Sequence, residues 1–146
     1  MKLTQNIINM TARNAAEFVV LKERFDVFVE QVEAIGRDKP RLGIKVSKSD
    51  TQLSFGVEFA ATHIRFQAFP AYDDDHHLIG KIFVTRQSHR LFSTEEVLGV
   101  VTFDRFGLSD IEDTGPNDCF TLTACAEGII GHFLHLAIGR PVIQAK

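Results

Sequence analysis

The sequence of 146 residues has no tryptophan and a single tyrosine, so its aromatic surface carries almost no polar handle of its own. Its two cysteines, Cys119 and Cys125, are too few for a disulfide scaffold. If both lie on one helix, their α-carbons stand roughly 9 Å apart, beyond disulfide reach, and unbridged thiols suit a cytoplasmic protein. Sixteen Lys and Arg against nineteen Asp and Glu give a net charge of −3. The basic residues form no cluster, which argues against nucleic acid as a partner. The first ten residues hold one lysine and no apolar run long enough for an export signal.

Several chemical signatures are missing as well. There is no glycine-rich phosphate loop, no G-x-S-x-G elbow, no C-x-x-C and no pair of histidines spaced as in zinc proteases. No cofactor and no metal site is therefore expected, and catalytic residues remain unassigned.

Thirteen phenylalanines are present, and a chain of this length buries about two thirds of its surface, so most of these rings are expected in one core of a single α+β domain spanning residues 1–146. Phe18, Leu21, Phe25, Phe28, Val32 and Ile35 recur at steps of three and four, which predicts a helix from Thr11 or Asn14 to Ile35. Asn14 with Glu17 forms a candidate capping box, and Gly36 followed by Pro40 supplies the stop.

Beyond Pro40 the period changes to two. Leu42, Ile44 and Val46 alternate with polar residues, as do Leu53, Phe55, Val57 and Phe59, and then Ile64, Phe66 and Ala68 up to Pro70. Leu78 to Gln87 reads as a fourth strand that is apolar on both faces, the pattern of a central or doubly covered strand. Val97 to Phe103 reads as a fifth, preceded by one helical turn at Ser93 to Glu96. A surface loop, 104–118, leads to a final helix beginning near Asn117 or Asp118 and closed by Gly139 and Pro141. Its run Leu122 to Ile138 approaches the length of a membrane span. Glu127, His132 and His135 within it favour a buried helix and no membrane partner.

The resulting fold is α+β: a long N-terminal helix, an antiparallel meander of about five strands and a long C-terminal helix, with both helices on one face of the sheet. The other face carries Lys45, Glu58, Arg65 and Gln67, and is either wet or a binding surface.

Four groups of residues invite a functional reading. Asp73, Asp74, Asp75, His76 and His77 have metal-ligand chemistry, but adjacent residues do not converge naturally on one ion, and a solvated loop is the simpler reading. His132 and His135 are helical neighbours that can share a metal or a proton, with simple burial or exposure as the plainer reading. Cys119 falls at the expected N-terminus of the last helix, where the dipole favours a thiolate. On that helix Ala124, Gly128 and Gly131, flanked by Leu134 and Ile138, form a small-residue side that invites a second copy.

The leading expectation is a small, soluble, non-catalytic binding protein acting as a homodimer with a further protein partner. The alternative is an enzyme or ligand-binding domain with a Phe-lined pocket between helices and sheet, using His63, Arg65 or His135 as its polar group.

Overall fold

The computed structural model describes residues 4–49, 53–87, 95–110, 121–122 and 124–139. Its first element is helix α1, Gln5–Asp38, whose buried residues Leu21, Phe25, Phe28, Val29 and Val32 keep the expected stripe. Phe18 and Ile35, at the ends of that stripe, are half-buried.

The helix starts about two turns before Thr11. Thr4 caps it, its hydroxyl accepting from the Ile7 N–H at 3.4 Å. Asn14 is no cap but a mid-helix residue whose amide donates to the Tyr72 hydroxyl. The early turns left no periodic trace because they bury nothing: Ile7, Ile8 and Met10 are 46%, 47% and 51% exposed.

Gly36 does not stop the helix either. A side chain there would put its Cβ 3.1 Å from the Ile44 carbonyl oxygen, so glycine serves the close approach of the next segment. Pro40 is the stop, because its ring disfavours helical geometry at Lys39. The Lys39 N–H closes back on the Ile35 carbonyl, a single 3-10 turn follows over Pro40–Leu42, and Gly43 at φ 64° turns the chain into the sheet.

Five strands follow in the order of the sequence: β1, Lys45–Lys48; β2, Ser54–Phe59; β3, Thr62–Tyr72; β4, Leu78–Arg86; and β5, Glu96–Phe103. All neighbours are antiparallel. Leu42 belongs to the 3-10 turn, so β1 is shorter than the alternation predicted. β3 runs through Pro70 instead of ending there. Its pairing with β2 ends at Gln67, so the missing N–H of Pro70 interrupts no ladder on that side. The strand β5 begins at Glu96; the helical turn expected just before it falls at 93–96, and residues 93 and 94 lie outside the described residues.

Alternation sends Phe55, Val57, Ile64, Phe66, Ile82 and Val84 to one face. On β5 a register shift opposite Val84 and Thr85 lets Leu98, Val101 and Phe103 join them. Helix α2, Ala126–Gly139, covers the same face beside α1 through Ala126, Ile129, Ile130, Phe133, Leu134 and Ala137. The expected caps Asn117 and Asp118 lie outside the described residues, as does Cys119. The helix begins only after a turn in which the Thr121 hydroxyl accepts from the Ala124 N–H at 3.2 Å. Cys125, expected well inside the helix, is a buried residue just ahead of it. Among the described residues no helix is long and apolar enough to cross a membrane.

Aromatic rings join the layers. Phe55 and Phe66 are cross-strand partners stacked at 4.8 Å and 4°, and Phe28 sits 5.7 Å and 6.4 Å from them. Phe133 of α2 meets Phe66 edge-on at 5.9 Å. Arg86 ties the end of α2 to the sheet: its guanidinium donates to the Ala137 carbonyl at 2.6 Å and pairs with Glu96 on β5. A cation there also complements the helix C-terminus.

Phe28→Ala is expected to lower unfolding free energy by about 3–5 kcal/mol in urea titrations, whereas Ile8→Ala stays within about 0.5 kcal/mol. Gly80→Ala is expected to lose about 1–3 kcal/mol by the same measurement, because a Cβ there would lie 2.3 Å from the Phe103 ring.

Candidate functional site

Among the described residues neither helix covers the opposite face of the sheet, and its residues fall into two halves. On β3 to β5, Phe69 and Phe83 meet edge-on at 5.7 Å, and Val97 and Val100 stand beside them at 55% and 43% exposure. The apolar second face of β4 was legible in the sequence. It arises from this uncovered patch rather than from burial on both sides. Toward β1 the same face turns polar, carrying Lys45, Glu58, Arg65 and Gln67 as alternation predicted.

In that polar half lies a shallow depression of about 270 Å³. Ser47, Lys48 and Ser49 at the end of β1 form one side, and Ser54, Phe55 and Gly56 of β2 form the floor. His63 and Arg65 of β3 and Gln87 after β4 complete the lining. Gly56 is bare for a reason: a Cβ would lie 3.0 Å from His63 Nε2, so the imidazole rests over the β2 backbone. The Gln87 N–H donates to the His63 carbonyl at 3.0 Å, fixing the far rim. Arg65 also meets Glu95, Nη1 to Oε1, at 3.8 Å.

Two of the three sequence candidates for ligand binding, His63 and Arg65, are thus neighbours. His135 is not with them: it is exposed on the outer side of α2, across the sheet. The Phe-lined space between helices and sheet is occupied by the rings themselves, with Phe25, Phe28, Phe55, Phe66 and Phe133 no more than 4% exposed. Ser47, Ser49, Ser54 and Gln87 had no sequence signal as site residues, since serines beside a turn are ordinary turn chemistry.

The small-residue side of α2 is mostly exposed. Ala124, Gly128, Gly131 and Ile138 face outward, and a Cβ at either glycine would meet nothing within 4 Å. Leu134, expected on the flank of that side, is turned into the core at 7% exposure. Glu127, His132 and His135 share the exposed surface, and Glu127 pairs with Lys39 at the end of α1.

The hairpin loop after β3 does gather ligand-type atoms: those of Asp73, Asp75 and His77 lie within 4.8 Å of one another. The backbone explains their closeness. Asp73 Oδ1 accepts from the N–H groups of Asp75 at 2.9 Å and His77 at 2.8 Å, while His76 takes the left-handed conformation at φ 62°. After β5 Asp104 repeats the device, accepting from Phe106 and Leu108, both at 2.9 Å. These carboxylates are turn formers, a role that needs no ion.

Comparison with protein-family models, with curated proteins and with solved structures found no match. The functional reading therefore stands on the geometry alone.

Asp73→Ala is expected to cost about 1–2 kcal/mol of stability in thermal or urea unfolding, with the same loss whether or not a chelator is present. A loss that appears only without chelator would make the loop an ion site.

Proposed function

We propose that this chain is a small non-catalytic binding protein that works as a homodimer, paired through the uncovered face of its sheet. The observation that carries the reading is the apolar cluster on the open face, where Phe69, Val97 and Val100 are exposed around a half-buried Phe83, on strands whose other face carries the core. Large exposed apolar patches rimmed by polar residues mark interaction surfaces. Here the rim is supplied by Arg65, Gln67 and Thr102.

Size favours a second copy as the occupant. Five strands about 4.8 Å apart and about eight residues long present roughly 600 Å². Two such faces packed together bury about 1,200 Å², the lower bound for a specific and stable interface. Two twisted sheets also stack naturally face to face, with their side chains interleaved. The small-residue side of α2 is the weaker surface, because Leu134 is in the core and glycines contribute little apolar area.

Light scattering during size exclusion tests this directly. The wild-type chain is expected at twice its monomer mass and Val100→Lys at the monomer mass with an unchanged melting curve, while Gly131→Leu stays dimeric. A wild-type chain that is monomeric at micromolar concentration overturns the proposal, and loss of the dimer in Gly131→Leu alone would move the interface to α2.

A further inference from the structure

The geometry points to the depression between β1, β2 and β3 as a binding site for a small phosphoryl-bearing molecule, a site separate from the apolar half of the same sheet face. Three features of the lining carry this assignment.

The first is charge. The chain is acidic overall, yet none of the described residues lining this depression is acidic, and the Arg65 guanidinium is among them. An Arg guanidinium is a flat fork of donors that matches the oxygens of a phosphate.

The second is the density of hydroxyl and amide donors around that cation. Ser47, Ser49 and Ser54 bring hydroxyls from two strands, His63 a ring nitrogen, and Gln87 an amide. Donors converging from several sides suit a tetrahedral oxyanion, which has acceptors in every direction, better than a planar carboxylate.

The third is Ser54. It is the sole buried polar residue among the described residues, at 5% exposure. The alternation that sends Phe55 to the core puts the Ser54 side chain on the open face, at the floor of the depression. Its side chain makes no hydrogen bond to a described residue and its hydroxyl is not sealed off, so an incoming phosphoryl oxygen can reach it and accept from it. Glu95 lies against Arg65 from outside the lining, as an internal anion that competes with the ligand for the guanidinium.

Two-dimensional amide NMR of the full chain, titrated with inorganic phosphate at constant ionic strength, tests the assignment, with chloride and acetate as comparison anions. Saturable shifts at Ser47, Ser49, Ser54, Gly56 and Arg65 are expected with phosphate and not with the other two. Arg65→Gln is expected to weaken binding by about tenfold or more, the loss typical of a charge-assisted hydrogen bond, and Ser54→Ala by a few-fold. Glu95→Gln is expected to tighten it, and Lys22→Gln on α1 to leave it unchanged. Shifts that do not saturate, an equal response to acetate or chloride, or unaltered binding in both Arg65→Gln and Ser54→Ala overturn the assignment. The spectra report folding of each variant at the same time. Repeating the titration on monomeric Val100→Lys separates this site from the dimer, since phosphate binding is expected to persist there.

Discussion

Phe28 of α1 rests on the stacked pair Phe55 and Phe66, and the rest of the structure depends on that contact. A one-residue slip between β2 and β3 would throw one of the two rings onto the open face, so the stack holds the strand register. The ring of Phe28 sets where α1 crosses the sheet, and Phe133 seats α2 against Phe66. Each ring has little exposed area left, so the two layers fit in one way. Phenylalanine suits this position because it fills volume without a polar group that would need a partner in the core.

That packing also creates the working surface. Both helices are committed to one face of the sheet, and no described element covers the other face. What is left uncovered is uneven. Strands β4 and β5 present Phe83, Val97 and Val100, while β1 and β2 present serines and the bare backbone of Gly56. One half of the face has the chemistry of protein contact and the other that of an oxyanion cradle. The area a stable dimer needs takes in both halves, so the cradle would lie beside or within the dimer seam.

The candidate site was only partly legible in the sequence. His63 and Arg65 stood out because they alternate with Ile64 and Phe66, and alternation assigns a face without knowledge of the fold. Ser47 and Ser49 lie beside a turn and Ser54 just beyond it, and nothing in their spacing distinguishes a ligand donor from a turn residue. His135 was grouped with the first two as a polar group for a Phe-lined pocket, but α2 turns it outward to solvent, away from the sheet. Asp73 and Asp104 show the converse. The run of acids at Asp73 suggests ion chemistry, yet its carboxylate, like that of Asp104, is engaged by backbone N–H groups of its own loop.

The fold class, the two helices, the five strands and the inward residues of β1, β2 and β3 followed from the sequence alone, because apolar periods of 3.6 and 2 are local patterns that survive whatever the elements pack against. Element ends followed less well. The first turns of α1 bury nothing and so have no period, Gly36 sits in the helix for the approach of Ile44, and Pro70 continues a strand whose neighbour has already ended. Only the tertiary structure decided that the Phe-rich space is filled, that Leu134 is core and that Arg65, His63 and Ser54 share one depression. These facts depend on which elements lie side by side, and contact between residues far apart in the chain leaves no spacing to read.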